Sequence, residues 1–397
     1  MRRRPTRRSF TLIAVALLLL LLGSTAQAGW LFVLAAGTLG LVLASFLTRH
    51  RLAALEVRRV VPARIRAGDH VRVGFSVHNV GGRRTPIAAL EDGFPAFAPA
   101  RVALEALPAG SEGRLELVRR AERRGAFTEG VVTLSSGAPF GFVSTRRTIV
   151  VASPVVVVPR WVDLTSFPIL EPSSYPAEQL HERARTGGGV EYLGVREYRP
   201  GDPPRHVHWR SSARAGRLVV REYEEEAASR VALLVTGQDT GTPPESAFEA
   251  LVSAAASIAL YALVTGHPVD LIGPGVPGLT DPTRHDVLDW LARLGPSDEP
   301  VEALAAQAVK RVHRRGTVVV LAPTSGRAAE GIMAGVRTAQ TSGSRTVAVL
   351  ARSTTWREGS RVPGVVRAED ELIHEVRSRT TTRVISKGQD LLRCLQA

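Results

Sequence analysis

The chain has 397 residues, of which 44% are hydrophobic, and this length is enough for two or three packed domains. Lysine and arginine total 51 against 37 acidic residues, a net charge of +14, and the single cysteine excludes an intramolecular disulfide or a thiolate metal cluster. Half of the excess positive charge lies in residues 1–51, which contain seven arginines and no acid. This distribution favours membrane topology over nucleic-acid binding, so no nucleic-acid partner is expected. The cysteine, Cys394, is predicted to be a small apolar residue of a terminal helix.

Two long apolar segments follow the N-terminal arginines. The first covers residues 10–28 and the second covers residues 30–47, before a new arginine at position 49. A helix that crosses the hydrocarbon core of a bilayer needs about 20 residues, so each segment predicts a transmembrane helix. Because arginines flank both outer ends of this hairpin, the positive-inside rule places those ends in the cytoplasm. The lipid bilayer is the expected partner of residues 10–47, and the cell membrane is the expected location.

An alternative interpretation of the N-terminus is a cleaved signal peptide. The arginine cluster, the first apolar segment and the residues Ala26, Gln27 and Ala28 have the order of a secretory signal, and residues 6–10 resemble a twin-arginine motif. The second apolar segment would then act as a stop-transfer helix that crosses inward. Both interpretations place residues 52–397 in the cytosol.

Residues 52–160 have the pattern of short β-strands. Val71, Val73, Phe75 and Val77 alternate with polar or small residues, which predicts a half-buried strand. Other segments, separated by glycine and proline turns, predict strands at 87–90, 114–119, 130–134, 147–151 and 155–158. Several short strands of this kind are typical of a β-sandwich, so the region is predicted to be a sandwich-like module similar to immunoglobulin or fibronectin domains.

A connector with a polar motif occupies residues 161–229. Its first part has three prolines and little periodicity, and two strands are predicted at 191–198 and 217–223. Arginines alternate there with acidic residues, glycines and a proline-rich turn, which is a composition that orders itself by paired charges. The residues that define the motif are Arg196, Glu197, Tyr198, Pro200, Gly201, Asp202, Trp209, Ser212, Ala213 and Arg214.

This motif, continued by residues 216–222, closely resembles the signature of the DUF58 family, a group of bacterial proteins of unassigned biochemical activity. Residues 136–142 also resemble the D-P-F-G-L corner of that family, with Ala138 where the family usually has aspartate, so no carboxylate role is expected at this corner. The resemblance implies a MoxR-type AAA+ ATPase as the partner, because similar proteins are often found with such ATPases.

The charged motif has two interpretations. In the structural one, which we favour, arginines and carboxylates saturate one another and dock the connector onto the last domain. In the functional one, Arg196, Arg205 and Arg214 bind a phosphate or a carboxylate, with backbone N–H groups supplied by the glycines at 187–189.

Two further hypotheses concern catalysis and metal binding in the same motif. An enzyme would use Glu197, Asp202 or His208 as the acid or base. His206 and His208 lie two apart, a spacing that places them on the same side of an extended chain and suits a metal ion. No third protein ligand is evident, so histidines hydrogen-bonded beside Trp209 are the favoured interpretation.

Strands alternate with helices over residues 230–397. Strands are predicted at 231–235, 269–272, 317–321 and 346–350, and helices at 245–265, 285–294, 301–314 and 327–341. This alternation predicts a mainly parallel, doubly wound α/β sheet, which binds ligands outside the carboxyl ends of its strands. The arrangement resembles a von Willebrand A domain, as the C-terminal part of DUF58 proteins does.

The metal-binding loop of von Willebrand A domains is altered here. That loop has the pattern Asp-x-Ser-x-Ser after the first strand and holds a hard divalent cation through oxygens. Thr236 stands in the place of the aspartate, neither serine is present, and Asp239 and Thr240 are the weak remaining candidates. No metal and no cofactor are therefore expected.

Together these features predict a membrane-anchored cytosolic interaction protein with a transmembrane hairpin, a sandwich-like module and a von Willebrand A-like domain. The alternatives are an enzyme or anion-binding protein that uses residues 187–223, and a protein that binds anionic lipid or nucleic acid through arginine patches.

Overall fold

The computed structural model describes residues 2–47, 52–138, 140–167, 191–199, 207–224, 230–238, 241–242, 245–297, 299–312, 316–357 and 362–396. The chain divides into two compact units, one formed by residues 1–160 with 291–293 and the other by residues 161–290 with 294–397.

Two apolar helices open the first unit. The helices α1 (Arg7–Ala26) and α2 (Gly29–Leu47) confirm the two predicted helices, with ends shifted by at most three residues. Gln27 adopts a left-handed conformation with φ of 46°, which lets the chain reverse between them. Large apolar side chains such as Trp30 and Val33 are 65% and 72% exposed. Both helices have the length and hydropathy of membrane spans.

The described strands of this unit form two sheets. They are β1 (Arg2–Pro5), β2 (Leu55–Val60), β3 (Arg64–Arg66), β4 (His70–Asn79), β5 (Ala88–Gly93), β6 (Ala100–Leu104), β7 (Glu112–Arg120), β8 (Gly125–Ser136) and β9 (Val143–Val158). One sheet has the strand order β1-β9-β8-β5-β6, with β3 added in parallel to β9, and the other has the order β2-β4-β7.

Side chains from both sheets meet in one hydrophobic core. Val73, Phe75 and Val77 of β4 are buried, as their alternation predicts, and they share the core with Leu90 of β5 and Val157 of β9. Alternation is a reliable signal here because one face of each strand is buried and the other is solvated.

The predicted strands at 147–151 and 155–158 are wrong as separate elements, since both belong to β9. The register of β8 against β9 shifts between Phe127 and Glu129, and Ser153 and Pro154 lie opposite this irregularity. A bulge tolerates proline because no ladder hydrogen bond is required of its missing N–H. The strands β1, β2, β3 and β6 were not predicted, because their segments are short and rich in arginine or alanine.

A buried ionic group connects the two sheets. Arg59 of β2 contacts one oxygen of Asp92 of β5 at 2.5 Å, and Arg119 of β7 contacts the other at 2.9 Å. Arg59 also donates to Ser153 Oγ at 3.0 Å and lies over the Phe94 ring at 4.7 Å. The Arg59 and Asp92 side chains are fully buried, so each charge depends on its partners for stabilisation.

The strand β9 holds both ends of the helical pair. At the entrance to α1, the amide of Thr6 donates to the Phe142 carbonyl at 2.9 Å and its hydroxyl donates to the Gly141 carbonyl at 2.8 Å. After α2, Arg147 Nη1 donates to the carbonyls of Leu52, Ala53 and Leu55 at 2.7–2.8 Å. The helical pair and the β-rich region therefore belong to a single unit.

The second unit begins with an antiparallel pair of strands, β10 (Glu191–Glu197) and β11 (Val219–Glu224). These confirm the two strands predicted in the connector. A seven-residue helix, α3 (Trp209–Ala215), lies between them and was not predicted. Residues 168–190, 200–206 and 225–229 of the predicted connector lie outside the described residues.

A mixed six-stranded sheet forms the centre of this unit. Its strands are β12 (Val231–Val235), β15 (Val269–Gly273), β16 (Val276–Thr280), β17 (Thr317–Pro323), β18 (Arg345–Ala351) and β19 (Thr381–Ile385). The short strands β13 (Gly241–Thr242) and β14 (Glu245–Ser246) pair with each other outside this sheet, between β12 and the helix that follows it. The sheet order is β16-β15-β12-β17-β18-β19, and β16 is antiparallel to β15 whereas the other pairs are parallel. The four predicted strands are confirmed within two residues; β16 and β19 were not predicted.

Helices cover this sheet. They are α4 (Ala247–Val264), α5 (Arg284–Arg293), α6 (Val301–Arg311), α7 (Gly326–Thr341), α8 (Pro363–Arg379) and α9 (Leu391–Gln396). Ser246 caps α4 by accepting the amide of Glu249 at 3.2 Å. Although α4 is long and apolar enough to span a membrane, most of it is buried, so it is a core helix. The predicted helices correspond to α4–α7, and Cys394 lies in the terminal helix α9, as predicted.

Candidate functional site

The family motif is built around the pair β10–β11 and the helix α3. Ser212 is buried in α3 and accepts the amide of Val219 at 2.9 Å, while its hydroxyl lies 3.1 Å from the His208 carbonyl. The ring of His208 accepts the amide of Ser211 at 3.1 Å through Nδ1. Ser212 and His208 thus fasten the helix to the strand, which is a structural task and agrees with the favoured interpretation of that histidine.

The charged side chains of the motif lie at the surface where they are described. Arg217 contacts Glu197 at 3.4 Å, and these side chains are 65% and 64% exposed. Such exposed pairs contribute little to stability, at most about 1 kcal/mol. Trp209 is 68% exposed, and Ala213 and Arg214 are exposed beside it. The exposed surface of α3 therefore carries an aromatic and a cationic side chain.

Other members of the motif are described in part or not at all. Arg196 lies in β10 opposite Val220, and Tyr198 follows that strand with a half-buried side chain. Pro200, Gly201 and Asp202 lie outside the described residues, as do Arg205, His206 and the glycines at 187–189. The anion-pocket and catalytic hypotheses therefore remain predictions.

Thr236 lies at the carboxyl end of β12, at the position where the metal-binding aspartate was sought. It is fully buried; its hydroxyl donates to the Glu299 carbonyl at 3.0 Å, and its amide donates to the Leu321 carbonyl at 3.1 Å. The hydroxyl and the amide of this residue thus both donate to carbonyls of the protein itself. Asp239 and Thr240 lie outside the described residues, and among those described no group of three or more His, Cys, Asp or Glu side chains is placed to hold a metal.

Gly237 follows Thr236 in a conformation that a side chain rarely adopts, with φ of 131°. A Cβ at this position would lie 2.2 Å from Pro323 Cδ. Its backbone forms a bridge with Ser297, whose amide donates to the Gly237 carbonyl at 3.0 Å. The loop after β12 therefore packs closely against the end of β17, and only glycine fits at position 237 without a steric clash.

A second polar cluster at this edge was missed from sequence. Glu369 of α8 is 4% exposed, and its two carboxylate oxygens accept hydrogen bonds from the hydroxyls of Thr324 and Thr354. The amide of Thr354 also points to this carboxylate at 3.3 Å, and the amide of Ser353 donates to Thr324 Oγ1 at 2.9 Å. These contacts bind α8 to the ends of β17 and β18.

The helical pattern contained a signal for this cluster. Glu369, Ile373 and Val376 have the i, i+4, i+7 spacing of a buried helix face, and all three are buried. A carboxylate on such a face must find hydrogen-bond donors, because a buried charge without partners is costly. Hydroxyl and carboxylate oxygens can bind hard cations, but here the two hydroxyls donate to the carboxylate. These hydrogen bonds stabilise the loop after β18.

The opposite edge of the sheet carries an ion pair. Arg230 contacts Asp270 at 3.1 Å and Asp281 at 2.9 Å. Asp270 is fully buried, and desolvation raises the pKa of its carboxyl, with partial compensation from the positive charge of Arg230. This edge is remote from the carboxyl ends of the strands, so its role is to fix the start of β12 against β15 and β16.

The family comparison identifies the class of protein. Residues 194–324 match the model of the family described as "Protein of unknown function DUF58", a segment that begins in β10 and ends after β17. A region similar to the DUF58 family is thus present over residues 194–324, as the motif around α3 predicted. No curated protein matches the chain.

Solved structures give only weak likenesses. A CARDB domain from Pyrococcus furiosus is 15% identical, with a TM-score of 0.20 over 26% of this chain and 94% of its own. A GH20 exo-β-N-acetylglucosaminidase from Vibrio harveyi is 10% identical, with a TM-score of 0.22 over 81% of this chain and 60% of its own. At such scores these likenesses carry no argument about fold or function.

Proposed function

We propose that this DUF58 protein is a membrane-anchored protein of bacterial cells whose bulk lies in the cytosol and which works by binding a partner protein. The anchor is supported by α1 and α2, whose exposed apolar side chains suit a hydrocarbon environment. The orientation is supported by the seven arginines of residues 1–51, which favour the cytoplasmic side for both outer ends.

The sheet topology supports a von Willebrand A-like second unit. Numbered by their order in the chain, the strands of the six-stranded sheet lie in the order 3-2-1-4-5-6, and the third strand, β16, is antiparallel. This is a doubly wound order, with the switch point between β12 and β17. In the first unit, two sheets around one core support the sandwich-like interpretation.

One observation carries the proposal of an interaction role over a metal-dependent one. Thr236 lacks the carboxylate that a hard cation requires, and its hydroxyl is already committed to the Glu299 carbonyl. The carboxyl edge of the sheet is then left as a docking surface, with Gln238 and Arg327 exposed on it. Exposed Trp209 and Arg214 are of the residue types that dominate protein–protein hot spots.

The proposed partner is a MoxR-type AAA+ ATPase, as the resemblance to DUF58 proteins implies. The test places a photocrosslinking amino acid at Trp209, Gln238 or Arg327 in the full chain and irradiates intact cells. Thr341, exposed at the end of α7 and hence near the amino edge of the sheet, is the matched control. The proposal expects the ATPase to be captured from the first three positions and not from Thr341. Recovery of no ATPase from any position would count against this partner.

An enzyme or anion-binding function of residues 187–223 is the second candidate. It is favoured by Arg214, which is exposed and pairs with no carboxylate in the described part of the chain. Isothermal titration of inorganic phosphate into the purified full chain tests it. Saturable binding that Arg214→Gln weakens tenfold, while Arg123→Gln in the first unit does not, would support this candidate; absence of heat would exclude it.

A further inference from the structure

One corner of the first unit lies at the base of the helical pair. It consists of residues 137, 138 and 140–142 and of residues 143–147 at the beginning of β9, and we call it the foot. The hydroxyls of Thr6 and Ser9 donate to carbonyls of this corner, at Gly141 and Phe142. The same part of β9 pairs with β1, with Arg4 opposite Ser144 and Pro5 opposite Val143. The foot is therefore at the level where α1 begins.

The other helix returns to the same place. Arg147, four residues into β9, is the side chain that holds the carbonyls of Leu52, Ala53 and Leu55 just after α2. Because the start of α1 and the segment that follows α2 both contact the foot, the distance of the foot from the bilayer surface is limited by the helices. A span that places residues 10–47 in the hydrocarbon leaves the foot in the layer of lipid headgroups.

The composition of the foot is suited to that layer. Phe140 is 47% exposed, and its ring is stacked on that of Phe142 with 6.0 Å between centroids. An exposed phenylalanine beside basic residues suits this layer, because such apolar rings are buried about 5–10 Å into the headgroup–acyl boundary. On a surface that contacts water alone, an exposed phenylalanine at a loop tip would have no apolar layer to enter.

The charged side chains of the foot and of the segment that leads into α1 are all basic. Arg4, Arg7, Arg8 and Arg146 are exposed around the foot, and Arg8 Nη1 would lie 3.7 Å from a Cβ at Gly141. Residues 2–47 and 137–158 contain no acidic residue, so neither segment supplies a carboxylate to these arginines. Arginine near an anionic leaflet gains about fivefold in affinity for each charge.

We infer that the foot binds the phosphate groups of anionic phospholipids in the leaflet where both helices end, with Phe140 inserted among the headgroups. This inference rests on the proposed spanning of the membrane by α1 and α2. Its consequence is that the first unit is docked against the membrane surface in a fixed orientation and does not rotate freely above it.

The first experiment measures where the foot lies. The full chain, with Cys394→Ser and Phe140→Cys, is labelled with an environment-sensitive fluorophore and reconstituted in vesicles of phosphatidylglycerol and phosphatidylcholine. Thr128→Cys is the matched control, since Thr128 is exposed on β8 roughly 27 Å before the corner. We expect blue-shifted emission at position 140 that headgroup-linked quenchers reduce, and aqueous emission at position 128. Aqueous emission at both would overturn the inference.

The second experiment tests the lipid chemistry. The thermal midpoint of the detergent-solubilised full chain is titrated with short-chain phosphatidylglycerol, phosphatidylcholine or inorganic phosphate. We expect stabilisation by phosphatidylglycerol alone, and an apparent affinity about 25-fold weaker in the double variant Arg8→Gln, Arg146→Gln. Arg123→Gln, at an exposed arginine before β8, should match the unsubstituted chain. Equal stabilisation by inorganic phosphate, or by phosphatidylcholine, contradicts an anionic-lipid site.

A topology measurement separates failure of this inference from failure of the proposed anchor. Ala26→Cys places a thiol near the tip of the helical pair, and a membrane-impermeant maleimide applied to intact cells should label it. If that thiol is labelled but position 140 stays aqueous, the anchor holds and the foot hypothesis is wrong. If the thiol is shielded from outside, the spanning hairpin itself is wrong, and the inference falls with it.

Discussion

Arg59 and Asp92 face each other at 2.5 Å across the two sheets of the first unit, with no exposed surface on either side chain. One lies on β2 and the other on β5, so this contact connects sheets that share no ladder hydrogen bond. With Arg119, the group carries two positive charges and one negative charge. Nearby aromatic rings offset part of this excess, since Arg59 lies over Phe94 and Arg119 over Phe97.

Removal of the Asp92 carboxylate should therefore strongly reduce the free energy of unfolding. Asp92→Asn leaves two buried guanidinium groups without a counter-charge, and we expect a loss of about 3–5 kcal/mol in the free energy of unfolding. Chemical denaturation of the full chain in detergent measures it. Arg114→Gln, which removes one member of an exposed pair on β7, should leave the midpoint unchanged. Equal stability of both variants would contradict the role assigned to Asp92.

Gly237 should be far less replaceable than another glycine of positive φ. Gly237→Ala combines the strained conformation with a Cβ 2.2 Å from Pro323, whereas Gly266→Ala at φ of 79° meets no atom within 4 Å. We expect about 1 kcal/mol of destabilisation at Gly266 and at least about 2–3 kcal/mol more at Gly237. Thermal unfolding of the two variants gives the comparison, and similar midpoints would show that the loop after β12 can move away from β17.

The buried carboxylate on α8 should matter more than its exposed neighbour. Glu369→Gln weakens the hydrogen bonds from Thr324 and Thr354 and places an amide where a hydroxyl donates, at a cost of about 1–3 kcal/mol. Glu371, two positions later, is 70% exposed, and Glu371→Gln should stay within about 0.5 kcal/mol of the unsubstituted chain. Hydrogen exchange in residues 352–356 should rise only in the first variant.

The stability contributed by Asp270 should fall as the pH rises. Its folded pKa lies above the ordinary value of 3.8, so between these two values the folded state binds more protons than the unfolded state. The contribution is fully present below pH 3.8 and is lost as the pH rises through the folded pKa. We subtract the unfolding free energy of Asp270→Asn from that of the unsubstituted chain, and we expect this signed difference to fall over the interval and then level off. A difference that grows with pH would show that Arg230 outweighs desolvation.

Cys394 should be a slow nucleophile. Burial raises the pKa of its thiol above the ordinary value of 9.0, and the charge of Asp390 acts in the same direction. The rate of alkylation by iodoacetamide follows the thiolate fraction, so its half-maximal pH should be higher in the folded chain than in the denatured chain. Asp390→Asn should move the folded profile back toward the denatured one. Identical profiles would contradict the assigned burial.

The regions with a clear pattern of apolar residues were predicted well from sequence. The strands β12, β15, β17 and β18 are buried apolar runs, and α4–α7 have a helical repeat, so the doubly wound sheet could be anticipated. The strands β1 and β3 could not, because arginine-rich segments have no apolar face to reveal them. They exist because β9 offers them an unsatisfied edge, which is a tertiary cause.

The functional residues were predictable to differing degrees. Thr236 could be judged from its position after an apolar strand. The spacing of Glu369 contains a signal for a buried helix face, but its donors Thr324 and Thr354 could not be recognised, since they lie on other elements and 15–45 positions away. Ser212 was correctly placed in the family motif, but its use as a fastener for β11 depends on the turn at Gly216, whose φ is 65°.

The contact between Thr6 and the Gly141 carbonyl spans 135 positions of the chain. During synthesis, α1 and α2 leave the ribosome long before β9 exists. With the proposed membrane topology, the hairpin enters the bilayer while its cytosolic ends are still open, and only the completed first unit can close them. Closing so long a loop is entropically slow and comes late in folding. Membrane insertion and formation of the contact between Thr6 and residues 141–142 are thus separate events in biogenesis. A chain truncated before residue 142 would retain α1 and α2 without the complete contact that orients the first unit relative to them.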